Sequence, residues 1–417
     1  MPIPMRGVNC KMRVLRTMYE ARLRDDILPY WRRHEDYVFG GVCNCLDNSG
    51  GTRLSDDKFS WSQGRYLWVL SRQCALQEAG VNLGRDPVDL RSAMDKTFGF
   101  LVDRVLSAEY RCHTVLSRSG NRKKSGEENI YTDCYVLSGL SEYVRVTNSH
   151  EKIPLLDAVY RSIFDRVMHN AVRTDPYAIP AGYRVHDFFM TMVNTVADYI
   201  AMRRYFGLDA GEATAFTGAN IDAILDDLWR DGCVREYVSG DAQYHPRLLD
   251  RHLAPGHMLE SMWFCAEFLN QTSRDALEQR LGRILQTVRS AFDLGWDAEC
   301  GGLLRFVDRD GGKPHGQLIG DSFEEQIRGG WDGKLWWVHA EALFSLLYMY
   351  SLTGDQTLLE RYERLADYVF STFPSPNTGE WIQVRRRDGS PDERIVALPV
   401  KDPFHVARSF CKIIALP

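Results

Sequence analysis

The sequence predicts an all-α fold, a toroid of six helix pairs with short β-hairpin insertions. Three observations lead there. About twelve segments place apolar residues at the 3.6-residue period of a helix packed on one face. No strand-like run is long enough for a central sheet. The helices pair at intervals of roughly sixty to seventy residues, without the shorter, regular repeat of a TPR-like or HEAT-like array. Closure into a ring is the expectation set by the helix count. No composition break marks a linker, so residues 1–417 read as one domain.

The first helical pattern covers 12–39, with Met18, Leu23, Ile27, Leu28, Tyr30 and Trp31 as its apolar positions. A Gly/Asn/Asp-rich loop follows over 44–57. The second helix carries Phe59, Trp61, Arg65, Trp68, Val69 and Leu70, and the third covers 88–106. Residues 117–129 are basic and polar, with Arg118, Arg122, Lys123 and Lys124, and are expected to form a mobile loop. Helices four and five cover 133–147 and 154–171, and 173–184 reads as irregular. The sixth runs over 186–205 and the seventh over 210–229, where Phe216, Ile221, Ile224, Leu225 and Leu228 keep a clear helical period. A polar insert with short strands, 232–251, precedes the eighth helix, which starts at His257 after Pro255-Gly256. The ninth covers 273–294. Residues 301–312 read as a hairpin turning at Asp310-Gly311, and a second hairpin surrounds Asp388-Gly389. The tenth helix, 335–353, stops at Gly354, and Asp355 caps the eleventh, 356–373. The twelfth covers 404–414.

A net charge near -5 gives no reason to expect nucleic acid or an anionic membrane as partner. No apolar run of about 18 residues suggests a membrane span. The first residues lack the apolar core of a signal peptide. The ten cysteines form no framework, and Cys43/Cys45 have neither zinc-knuckle nor redox spacing. Reduced cysteines in a cytoplasmic protein is the expectation.

Among eleven histidines two stand out, His257 and His405, each near a helix start. The positive end of a helix dipole lowers an imidazole pKa, and a general base at pH 7 must be neutral. Glu260 and Arg408, each three positions on, share their faces. Two such histidines in one pocket can take a proton from carbon and return it on the other side. His252 reads as a loop residue. Arg65 lies one turn from Trp61 and three residues before Trp68, a setting that suits sugar hydroxyls or an oxyanion, or a cation–π pair at a core edge. Trp337 and Glu341 are one turn apart on a mostly apolar helix, where a carboxylate is either paired or functional. No His-x-x-x-His, cysteine cluster, phosphate loop or Gly-x-Ser-x-Gly elbow is present, so no metal or cofactor is expected, although His257/Glu260 could supply two ligands at three-residue spacing. Asp187, Glu260 and Glu341 leave a glycosidase, or a sugar-binding toroid without turnover, as the reading from another class.

Several motifs, in order along nearly the whole chain, resemble the N-acylglucosamine 2-epimerase family: Gln63-Gly64-Arg65 with Leu67-Trp68, Pro255 to Glu260, Gly301-Gly302 with Asp308 to Gly311, Lys334 to Leu343, Gly379-Glu380-Trp381 and Phe404 to Arg408. The resemblance implies an (α/α)6 barrel. It implies a sugar 2-epimerase, interconverting N-acetylglucosamine and N-acetylmannosamine through an enediolate-like intermediate, with His257 and His405 as acid/base groups. Arg65 and Arg408 would hold sugar oxygens, Glu260 would orient or neighbour His257, and Trp337 and Glu341 would line the pocket. An aldose–ketose isomerase acting on mannose is the alternative within the family. Cellobiose epimerases and mannose isomerases usually carry a histidine and a glutamate on the sixth helix, where this chain has Thr191 and Asn194. That departure, and His339, look like the N-acylglucosamine branch. Some members respond to ATP, which is left open as an effector without a site, and dimers are common, which leaves a homodimer open.

Overall fold

In the computed structural model, residues 6–123, 129–175, 178–240, 246–394 and 399–417 are described; Lys124 of the basic loop lies outside them. Twelve helices of ten or more residues carry the fold. Helix α1 (Arg6–Arg22) continues through a π-helical turn (Leu23–Ile27) into Leu28–Arg33, short of the expected end at residue 39. Then come α2 (Ser60–Glu78), α3 (Pro87–Phe100), α4 (Ile130–Val146), α5 (Ile153–Met168), α6 (His186–Tyr205) and α7 (Gly211–Asp222). The second half holds α8 (Pro255–Thr272), α9 (Arg274–Gly295), α10 (Trp336–Thr353), α11 (Gln356–Thr372) and α12 (His405–Ile414). Two short helices, Leu248–Arg251 and Phe323–Gly330, have no counterpart in the sequence reading.

The even-numbered helices form an inner ring: α2, α4, α6, α8, α10 and α12 each pack on the next, and α12 returns to α2. Helices α3, α5, α7, α9 and α11 each pack outside the inner helix before them, and α1 packs outside α12. The fold is an (α/α)6 barrel, and its sixth pair joins the first helix to the last. Tyr19 fastens that seam: its hydroxyl lies 2.9 Å from that of Tyr362 on α11, and its ring meets Phe410 of α12 edge-on at 4.8 Å. Position in the ring explains composition. Helix α10 buries every residue from Val338 to Tyr350, so it is apolar all round, whereas the outer α11 buries one face only. None of the described helices is long and apolar enough to cross a membrane.

The sheets are five antiparallel strand pairs. Four of them lead directly into inner helices: Lys58–Phe59 into α2, Tyr183–Val185 into α6, His252–Leu253 into α8 and Lys334–Leu335 into α10. Their partners correct the sequence reading. The expected 301–312 hairpin does turn at Asp310-Gly311, but its strand Val307–Asp308 pairs with His252–Leu253. The expected hairpin around Asp388-Gly389 does form, with Arg385 bridged to Pro391, and its strand Val384–Arg385 pairs in addition with Lys334–Leu335. Tyr183–Val185, expected irregular, pairs with Tyr237–Ser239. His252 is therefore a fully buried strand residue and not a loop residue. The described part of the basic loop is also tied down: Arg118 donates to Asp36 at 2.9 Å, and Lys58 donates to the same carboxylate at 2.9 Å.

Helices α2 and α4 meet at two glycines. A Cβ on Gly139 would stand 2.1 Å from the carbonyl oxygen of Gly64, and one on Gly64 would stand 2.5 Å from that of Tyr135. This contact brings Tyr135 against Arg65, with the guanidinium 3.8 Å from the ring centre. Alanine is the better helix former by about 0.5–1 kcal/mol, but overpacking costs about 1–3 kcal/mol. Gly139→Ala should therefore lower the melting temperature; thermal unfolding showing an unchanged or raised midpoint would contradict the close approach.

Candidate active site

The candidate residues collect where the strand pairs feed the inner ring, in the first turns of α2, α8, α10 and α12. Asp402 starts one side. Its Oδ2 accepts the backbone N–H of His405 at 2.8 Å and the Trp336 indole N–H at 3.2 Å, which fixes the opening turn of α12. His405 Nδ1 lies 2.8 Å from Glu341 Oε1. A carboxylate only accepts, so Nδ1 carries a hydrogen, and Nε2 is the nitrogen turned away from Glu341; Arg408 Nη2 also stands 3.3 Å from Nδ1. Arg65 Nη1 stands 3.4 Å from that Nε2 and 3.5 Å from Asp402 Oδ1.

Glu341 does not meet Trp337, as their shared face suggested. It accepts from the Trp263 indole at 2.9 Å and lies 2.7 Å from Arg408 Nη2. The same Nη2 donates to Glu260 Oε1, so one arginine joins carboxylates from α8 and α10. Burial alone would raise the Glu341 carboxyl; the Arg408 charge and the His405 hydrogen bond outweigh it and hold it at about 2. Glu260, Glu341 and His405 bring potential ligand atoms within 4.8 Å of one another, but Arg408 already supplies positive charge there. Both carboxylates are engaged with it, so they are not a free acid/base pair of the glycosidase kind. Arg408, expected at the sugar oxygens, is 1% exposed.

His257 has a different partner from the expected one. Its Nδ1 lies 2.9 Å from Glu236 Oε1, while Glu260 reaches away to Arg408. Glu236 precedes strand residue Tyr237, and its Oε2 is 3.4 Å from His186 Nδ1. Beside them Asp187 accepts from Tyr131 at 2.8 Å, and burial and the Glu236 charge push its carboxyl up. The helix-start argument for a neutral His257 is overturned. Burial alone would lower its pKa, but the charge and hydrogen bond of Glu236, with Asp187 and Glu260 adding, push it up to about 9. Trp337 ties the two sides together: its ring centre is 5.0 Å from that of His257 and 6.0 Å from that of His405. The His257 side chain, 24% exposed against 8% for His405, is the more open of the two.

Three residues stand elsewhere or arrive unannounced. His339 is fully buried, accepts from the Leu303 N–H at 2.9 Å and approaches the Leu335 carbonyl at 2.7 Å, so it braces the base of α10. Thr191 is buried on α6, where its carbonyl accepts from Thr195. Glu236 was missed; it sits in a polar insert, and no spacing links it to a histidine 21 positions later.

Comparison with known proteins places the chain in a family. The family described as N-acylglucosamine 2-epimerase (GlcNAc 2-epimerase) matches residues 40–408. The N-acylglucosamine 2-epimerase of Mus musculus is 29% identical over 400 residues, 92% of this chain and 87% of that one. That of Bos taurus is 30% identical over 405 residues, 93% of this chain and 88% of that one. Among solved structures, cellobiose 2-epimerase from Bacillus thermoamylovorans superposes with a TM-score of 0.76 at 19% identity, covering 96% of this chain and 99% of that one. The protein is an isomerase of the carbohydrate epimerase class on an (α/α)6 barrel. It belongs to the N-acylglucosamine 2-epimerase family.

Removing Arg408 should be costly, because it strands two buried carboxylates. Arg408→Leu should lose about 3–5 kcal/mol in urea unfolding, and adding Glu260→Gln should recover part of it. Because the Glu341 carboxyl is held at about 2 against an ordinary 4.5, its pairing stabilises the wild type above that ordinary value and is lost as pH falls through about 2. An Arg408→Leu variant as stable as wild type would contradict the bridge.

Proposed function

We propose that the protein inverts carbon 2 of a free reducing sugar, interconverting N-acetylglucosamine and N-acetylmannosamine. The observation that carries this is the histidine pair across Trp337, each Nδ1 against a carboxylate, with Arg65 beside His405 Nε2. Ring opening makes the proton beside the aldehyde acidic. One histidine removes it, and the C–H electron pair passes into an enolate whose oxygen Arg65 stabilises. The other histidine protonates carbon 2 on the opposite face. Each proton transfer contributes roughly 10² to 10⁴ in rate. The names of the relatives in Mus musculus and Bos taurus support the N-acylated substrate. No metal enters these steps, and dialysis against EDTA should leave turnover unchanged; activity restored only by a divalent ion would overturn this mechanism.

The test of the pair is substitution in heavy water. His257→Asn and His405→Asn should each lower epimerisation by roughly 10² or more while the fold is retained. Each variant should still wash deuterium into one epimer, and the two should prefer opposite epimers, because the remaining base removes and returns the proton on one face. Near-normal epimerisation by either variant refutes its role. A ketose as the main product would replace inversion by isomerisation.

A further inference from the structure

The two histidines are held by unlike partners. Around His405, the carboxylates Glu341 and Glu260 both contact Arg408, whose charge is permanent. Around His257, no lysine or arginine among the described residues pairs with Glu236 or Asp187; the ion-pair partners of Glu236 are His257 and His186. A buried carboxylate needs a compensating cation. On one side arginine supplies it, and on the other, among the described residues, an imidazole does.

Resting on the two-histidine reading above, we infer that Glu236 is the positioning residue of His257, so that the one proton the pair shares resides on His257 and His405 is the resident base. The surroundings of His257 agree from every side. Its own helix brings Glu260, whose charge is shared with Arg408. The segment entering the Tyr237–Ser239 strand brings Glu236 at 2.9 Å, followed by Tyr237. Helix α6 brings Asp187 and His186, the latter 6.3 Å away ring to ring. Helix α4 brings Tyr131, a neutral donor to Asp187. The strand entering α8 brings His252, whose Nδ1 lies 2.8 Å from the Leu249 carbonyl. Helix α10 presents the uncharged Trp337, 5.0 Å away ring to ring. On the far side of that ring, Arg65 Nη1 stands 3.4 Å from His405 Nε2, a contact that suits a bare nitrogen.

In the resident form His405 Nε2 takes the carbon-2 proton, the C–H electrons enter the enolate, and His257 Nε2–H delivers its proton to the other face. The proton has then moved from His257 to His405, and the opposite epimer meets that form. Both directions draw on one singly protonated pair, and the overall equilibrium does not involve pH. The profile of kcat/KM should therefore be the same in both directions, falling as pH rises through about 9, where His257 loses its proton.

The experiment uses the full chain with ¹⁵N-labelled histidine, followed by nitrogen NMR against pH, alongside kcat/KM in both directions. In the wild type one imidazole should remain charged at pH 8, and His257→Asn should remove that signal. Glu236→Gln, nearly the same shape without the charge, should move the alkaline limb downward and cut kcat/KM at pH 8 roughly 10- to 30-fold. Glu236→Asp should keep the limb high. A merely structural Glu236 would lower activity without moving the limb. The comparison of wild type with His257→Asn stands even if Glu236→Gln does not fold. A charged imidazole that survives in His257→Asn, or a limb unmoved in Glu236→Gln, overturns the inference. Normal epimerisation by His257→Asn would instead refute the two-histidine reading, so the two failures are distinguishable.

Discussion

The guanidinium of Arg408 is the point where three inner helices are joined. It comes from α12 and touches Glu260 of α8 and Glu341 of α10, under the rings of Trp263, Phe264 and Phe404. Buried charges are tolerated only with matched partners, so this contact admits few alternative registers. Glu341 is fixed by it, and His405 is aimed by Glu341. A side chain that is 1% exposed thus determines how the His405 imidazole is held.

The mouth of the barrel is made rigid by another means. Four short strand pairs sit directly before inner helices, and each clamps a helix start by backbone hydrogen bonds. Asp402 does for α12 with a side chain what the strands do for α2, α6, α8 and α10 with main chain. Sites of this kind need their groups held to fractions of an ångström. The Trp337 ring, one residue into α10, then lies between two imidazoles delivered by different helices.

The helices were legible because each outer helix keeps an apolar stripe and each inner one a long apolar run. Helix starts were legible to within a few residues: His257 is the third residue of α8 and His405 the first of α12. What the sequence did not disclose were partners far apart in the chain. Glu341 and His405 are 64 positions apart, and Arg408 and Glu260 148. The charge state of His257 was misread for the same reason, since the helix dipole is visible locally and Glu236 is not. Strand pairing failed similarly: Asp310-Gly311 marks its turn correctly, but the pairing partner lies in another segment.

The pairing of α1 with α12 places two helices far apart in the sequence side by side, and this has a consequence for synthesis. Contacts between distant segments form late and carry the largest loop-closure cost. Helix α1 packs on α12 and touches α11 through Tyr362, so its contacts are complete only after the five pairs from α2 to α11 have been made. The ring remains an open arc until the segment carrying His405 and Arg408 arrives. Assembly of the His257/His405 cluster and closure of the circle are therefore a single event, so a ribosome that stalls before α12 releases an arc with an exposed seam and neither Glu341 nor Glu260 paired with Arg408.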